Sequence, residues 1–135
     1  MHDLPLLGAD GLRALARSSA AVSAPCNCTG SDAHGWISLP LSLPETQLED
    51  VGTLVEDPYA EPGFTEYHPD GTRYDSPAAP IAPRHYPFNR CTVARCTACG
   101  RHYLRYMEAG GYFVDRRIRA LDNAALVVDA PADAV

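Results

Sequence analysis

The segment Cys91-Thr-Val-Ala-Arg-Cys96-Thr-Ala-Cys99-Gly100-Arg101 constrains this chain more than any other. It puts three cysteines into nine positions and ends in Cys-x-x-Cys-Gly. That spacing lets two thiolates converge on one metal ion, and the glycine accepts the backbone conformation that a tight turn demands. Two further thiols, Cys26 and Cys28, lie far upstream. Four thiolates are wanted for a closed tetrahedral site and five are present. The preferred set is Cys26, Cys28, Cys96 and Cys99, with Cys91 as a spare or as an alternative to Cys26 or Cys28. His34 and His102 are weaker candidates. The cofactor expected is one structural zinc ion, which in a four-thiolate cage contributes directly to folding. The competing reading treats all five cysteines as small buried hydrophobes.

At 135 residues the chain suits a single domain, and 46% hydrophobic residues allow a core. Twelve prolines and ten glycines predict many loops. The net charge of −6 conceals a division. Residues 1–83 carry three arginines against twelve carboxylates, and residues 84–135 carry eight arginines against five. The acidic first part is expected to pair with the basic second part or to stand solvated beside it. The N-terminus lacks a basic region before its apolar residues, and no run reaches the length of a membrane span. The expected compartment is the cytoplasm, where clustered thiols bind metal more often than they form disulfides.

The pattern predicts an α+β, β-rich single domain spanning 1–135, with an N-terminal helix and a cysteine-bearing antiparallel hairpin as its core. Leu12, Leu15, Ala16, Ser19 and Val22 repeat at helical spacing, so residues 10–23 read as a helix capped by Asp10 and stopped by Pro25. Residues 26–39 read as a cysteine loop followed by a short strand at Trp36–Leu39. Residues 40–85 form an acidic, proline-rich loop region. Within it, Glu45–Val55 has weak helical spacing, and Pro69-Asp70-Gly71 marks the turn of a small hairpin. Residues 86–129 hold the cysteine knuckle and a hairpin of two strands, Arg101–Glu108 and Tyr112–Leu121, around Gly110-Gly111. Ala125–Asp129 is expected to add a third strand.

Cys96-Thr-Ala-Cys99-Gly100-Arg101-His102-Tyr103, with the hairpin after it, resembles the second half of a zinc ribbon or of rubredoxin over residues 96–121. The resemblance implies a metal-bearing hairpin fold. Zinc ribbons usually supply a second Cys-x-x-Cys, whereas this chain offers Cys26-x-Cys28. An iron site of the rubredoxin type is disfavoured, because it normally protects its sulfurs with two knuckles. A longer pattern, Tyr86-Pro-Phe-Asn-Arg-Cys91 with Tyr103-Leu-Arg-Tyr-Met-Glu-Ala-Gly-Gly-Tyr112, resembles an uncharacterised bacterial protein family to which no activity attaches.

Arginines and aromatic residues crowd into residues 84–119. Guanidinium groups beside rings are what single-stranded nucleic acid binding uses, and Arg101, Tyr103, Arg105, Arg117 and Arg119 are the candidate contacts. The acidic whole-chain charge opposes that reading. The five histidines fall in no recognised triad, and no glycine-rich phosphate loop appears. The function expected is therefore a zinc-stabilised, non-enzymatic protein-interaction module: an accessory, regulator or inhibitor that binds an unidentified protein and no membrane. A nucleic-acid-binding ribbon is the alternative.

Overall fold

The computed structural model describes residues 4–29, 33–110 and 113–133. One helix, α1 (Ala9–Ala20), precedes a five-stranded antiparallel sheet. Its strands are β1 (Ile37–Ser38), β2 (Leu48–Thr53), β3 (Thr92–Cys96), β4 (His102–Gly110) and β5 (Phe113–Ala120). Their spatial order is β1-β5-β4-β3-β2. The chain is thus α+β and β-rich, as the sequence pattern predicts.

The helix forms because Leu12, Ala16 and Ser19 return to one face, and all three are buried. It begins at Ala9 with Gly8 at the N-cap, so Asp10 sits in the first turn, where its charge suits the helix dipole, and is not the cap. It ends at Ala20, before the expected residue 23, and the Ala21 amide closes back on Arg17.

The hairpin of β4 and β5 carries the sheet. Its register runs from Tyr103 opposite Ala120 to Gly110 opposite Phe113. The turn expected at Gly110-Gly111 and the strand residue Tyr112 fall on residues 111 and 112, outside the described residues. Strand residues alternate between faces, and here each face carries a buried layer. On one, Val93, Leu104 and Tyr106 pack with Leu12, Ala16, Trp36, Leu54, Phe88 and Cys91. On the other, Ala94, Cys96, Tyr103 and Ile118 pack with Cys28, Leu43 and Leu48.

Three local expectations need correction. Residues 45–55 are not a helix: Glu45–Gln47 make one 3-10 turn, and Leu48–Thr53 form β2 against β3. Cross-strand pairing outweighs weak helical spacing broken by Gly52 and Thr53. Pro69-Asp70-Gly71 does form a turn, with the Gly71 amide bonded to the His68 carbonyl, but no strand ladder flanks it. Residues 125–129 are not a third strand. Ala124–Leu126 form a 3-10 turn capped by the Asn123 side chain, and Val127 makes one isolated bridge to Ile81.

The acidic and basic parts of the chain meet as the charge division suggests. Arg84 pairs with Glu56, Arg95 with Glu49, Arg105 with Asp50 and Arg116 with Glu45. All four pairs are at least partly open to solvent, so each contributes about 0–1 kcal/mol and serves mainly to fix how the segments lie.

Gly35 marks a close approach of two chain segments. A Cβ there would stand 2.1 Å from the Asp75 carbonyl oxygen, a backbone atom that cannot swing away. Gly35→Ala is expected to destabilise the domain by more than about 2 kcal/mol, in the range of overpacked core sites. Gly63→Ala, with open space around its Cβ position, is expected to stay within about 0.5 kcal/mol of the parent. Equal urea midpoints for the two variants would refute this account of the contact between residues 35 and 75.

Candidate metal centre

Two elements bring the thiols together. The first pair sits on the 3-10 turn Asn27–Thr29 and the residue before it. This turn is held by the Thr29 amide and hydroxyl, which both donate to the Cys26 carbonyl. The second pair sits where β3 ends and β4 begins. Cys96 is the last residue of β3, and the Gly100 amide returns to the Cys96 carbonyl at 2.8 Å. Gly100 has φ +88°, a conformation that L side chains rarely adopt. The Cys96 amide then bonds the Arg101 carbonyl, and β4 departs.

The ligand atoms of Cys26, Cys28, Cys96 and Cys99 all lie within 4.8 Å of one another. Cys26 Sγ stands 3.7 Å from Cys96 Sγ, and Cys28 Sγ stands 3.5 Å from Cys99 Sγ. A tetrahedral ion with zinc's metal–sulfur distance of about 2.3 Å would separate its sulfurs by about 3.8 Å. The cysteine cage therefore has the size and the donor chemistry for one four-coordinate metal ion. Cys28 and Cys96 are buried, and Cys26 and Cys99 are partly exposed. Among the described residues, this is the one cluster of three or more histidine, cysteine or acidic side chains with metal-binding spacing.

The surroundings favour thiolate over thiol at one end of the cage and disfavour it at the other. Burial raises the Cys96 pKa. That effect is outweighed by the Gln47 amide, the backbone N–H groups of Cys99 and Ala98 and the Cys99 side chain, so Cys96 falls to about 6. Burial dominates at Cys28, which is pushed up to about 12 although the nearby Tyr103 hydroxyl favours its thiolate. The Arg101 amide reaches Cys99 Sγ at 3.5 Å. The neighbouring Cys99 sulfur also holds the Arg101 guanidinium above its ordinary pKa. A metal ion would set the thiolate state of all four ligands and couple it to folding.

Cys91 stays outside the cage. It is fully buried in the opposite core layer, donates to the Pro87 carbonyl at 3.3 Å, and has its pKa raised by burial. It lies five residues before Cys96, immediately ahead of β3, and packs in the layer on the other face of the sheet. The candidate ligands His34 and His102 also lie outside the cluster. His34 Nδ1 lies 3.5 Å from Asp122. His102 is buried beside α1, its backbone amide donating to Ser19 Oγ, and burial followed by Arg95 lowers its pKa.

The arginine-aromatic candidates are scattered by the fold. Tyr103 is buried, and its hydroxyl donates to the Cys28 carbonyl. Arg119 is wholly buried, donating through Nη2 to the Ala79 carbonyl at 2.6 Å. Neither can touch a partner at the surface, because strand alternation turns Tyr103 toward the cysteine layer and Arg119 toward the opposite core layer. Arg101 holds the end of the α1 segment through the Ala24 and Val22 carbonyls. Arg105 is paired with Asp50, and Arg117 with Glu108 and Asp115.

One contributor is not visible in the spacing of the cysteines. Gln47 Nε2 lies 3.4 Å from Cys96 Sγ and 3.7 Å from Cys26 Sγ. No family model, curated protein or solved structure matches this chain.

Cys96→Ser and Cys99→Ser are each expected to lose the bound metal and lower the melting temperature by about 10 °C or more, the shift produced by losing several kcal/mol of metal-linked folding energy. Cys91→Ser is expected to keep full metal content and to cost only about 1 kcal/mol, since a hydroxyl can still donate to Pro87. Elemental analysis with thermal denaturation checks both. Metal lost from Cys91→Ser, or kept in Cys96→Ser, would move the site.

Proposed function

We propose that this chain is a zinc-stabilised, non-enzymatic protein-interaction module. Zinc is the metal that a closed four-cysteine cage in a small domain suits best. Four thiolates fill a tetrahedral ion and leave no position for substrate or water. That arrangement supports a structural role for the metal rather than a catalytic one.

The observation that carries the interaction reading is the unequal cover of one sheet face. Near the cysteines this face is sealed by Cys28, Leu43 and Leu48. Toward the far end of the β4–β5 hairpin it is open. Met107 and Val114 lie on it, each 63% exposed. Leu41, at the margin, is fully exposed. A depression of about 440 Å³ lies beside Met107, bordered by Leu39, Thr92, Arg105 and Arg116. It adjoins a second of about 360 Å³ that shares Leu39, Glu45 and Arg116 and reaches Val114. Exposed apolar side chains in a shallow concavity, rimmed by arginine–carboxylate pairs, have the anatomy of a protein-binding patch: an apolar centre and a polar rim. The arginines there already have carboxylate partners, which weakens the case for a nucleic acid backbone as the occupant.

A photo-crosslinking amino acid in place of Met107 tests the reading. A discrete protein adduct is expected, lost when Val114→Asp is added, while an equivalent crosslinker at exposed Tyr59 gives none. Metal content should be unchanged throughout. The rival outcome is salt-dependent binding of a single-stranded oligonucleotide, abolished by Arg105→Gln with Arg117→Gln. That result, with no protein adduct at position 107, would overturn the proposal.

A further inference from the structure

In the knuckle of Cys96 and Cys99 the backbone itself serves the sulfurs: the Arg101 N–H lies 3.5 Å from Cys99 Sγ, and the nearby backbone amides of Ala98 and Cys99 favour the Cys96 thiolate. Cys26 and Cys28 sit on a Cys-x-Cys turn, which is too short to repeat that arrangement. Cys26 has a side chain as its N–H neighbour instead, the Gln47 amide 3.7 Å away. The same amide nitrogen lies 3.4 Å from Cys96, so it stands between the two halves of the cage.

Gln47 is held for this task from three sides. Its side chain makes a reciprocal amide pair with Asn27, Nε2 donating to Asn27 Oδ1 at 2.7 Å and Asn27 Nδ2 donating back to Gln47 Oε1 at 3.2 Å. This pairing holds the plane of the Gln47 amide, and its nitrogen is the end that faces the sulfurs. Its carbonyl accepts from both the amide and the hydroxyl of Thr97, inside the knuckle. Its backbone N–H closes the 3-10 turn onto Pro44. The main-chain bonds fix the backbone of Gln47, and the Asn27 pair holds its carboxamide in one orientation at a cost in side-chain entropy.

We propose that Gln47 is a metal-positioning residue: the carboxamide N–H not given to Asn27 is shared between Cys96 Sγ and Cys26 Sγ, one sulfur from each half of the cage, and so governs how tightly the metal is retained. The inference rests on the metal reading above. Donors to coordinated thiolates withdraw charge from sulfur and orient the ligands, and losing an outer partner of a metal ligand typically costs about 10–100-fold in affinity. Gln47 also lies two residues from Glu45, which pairs with Arg116 at the open groove. The strap between residues 39 and 47 therefore touches both the cage and the proposed docking surface.

The test compares the full-length protein with Gln47→Leu, Gln47→Glu and Asn27→Ala, each loaded with zinc and challenged with a competing chelator, and each loaded with cobalt for spectroscopy. Gln47→Leu keeps the approximate volume without the donor. It is expected to lose zinc affinity by about 10-fold or more, and to shift the thiolate-to-cobalt charge-transfer band to longer wavelength as the sulfurs regain electron density. Gln47→Glu, which places a negative charge beside thiolates, should lose more affinity than Gln47→Leu. Asn27→Ala, which frees the amide to turn, should fall between wild type and Gln47→Leu. A purely structural role for Gln47 would lower the melting temperature without moving the band. An unmoved band and an affinity within about twofold of wild type in Gln47→Leu would overturn the inference and leave the metal site standing. Failure of the wild-type protein to take up either metal would instead remove the metal reading and this inference together.

Discussion

The convergence of four thiols from two distant stretches is the constraint on which one whole layer of this protein depends. Cys26 and Cys28 lie on a short turn with no sheet of their own, and Cys96 and Cys99 lie on the bend between two central strands. Without a bond across the cage, little apolar area would hold the 26–29 turn to the sheet: Cys28 is its one buried residue. The cage also fixes the end of β3, the start of β4 and, through Tyr103 and the Cys28 carbonyl, the orientation of a large buried ring. A small domain with many prolines and glycines has less core per residue than most. A metal ion held in the cage would compensate by making binding energy part of folding energy.

The two faces of the sheet are stabilised by different means. One is an ordinary apolar layer, in which Trp36 meets Tyr106 edge-on at 4.9 Å and Phe88 at 5.7 Å, and α1 contributes Leu12 and Ala16. Even this layer contains a charge. Arg119 is sealed in it with Nε and Nη1 unpaired by the described protein atoms, and burial lowers its pKa to about 10. Two backbone carbonyls and the Phe88 ring at 5.8 Å offset part of that cost. The other face has fewer large apolar residues and relies on the cysteine cage. Cover on that face stops partway along the hairpin: beyond Leu43 and Leu48, Met107 and Val114 stand exposed.

Much of this is legible in the residues because the strongest signals are local. The Cys-x-x-Cys-Gly bend announces itself, as do the helix through Leu12, Leu15, Ala16 and Ser19 and the long hairpin after Cys99. Counting thiols prefers Cys26 and Cys28 but leaves Cys91 open as an alternative, and the structure supplies the decision: Cys91 and Cys96 are five residues apart and occupy opposite layers. The features that are not legible depend on partners remote in sequence. Residues 48–53 become a strand because β3 offers an edge to pair with, although their spacing suggests a helix. Tyr103 and Arg119 resemble surface contacts beside other arginines. The two faces of their strands are both buried at that end of the sheet, so alternation alone cannot turn either residue outward.

Gln47 is the clearest case of a role that spacing cannot reveal. It sits twenty-one residues after Cys26 and forty-nine before Cys96, in a segment whose pattern points to a helix. Its contribution arises only when β2 pairs with β3 and the 3-10 turn before β2 is drawn across the cage. The edge strand therefore does more than widen the sheet. Leu48 opposite Cys96 sets the register, and one residue earlier that register delivers an amide to the sulfurs. A slip of one residue in this pairing would turn Leu48 to the other face and withdraw the amide as well. Sheet register and metal geometry thus constrain each other, and a Cys-x-Cys turn becomes adequate as half of a four-thiolate site.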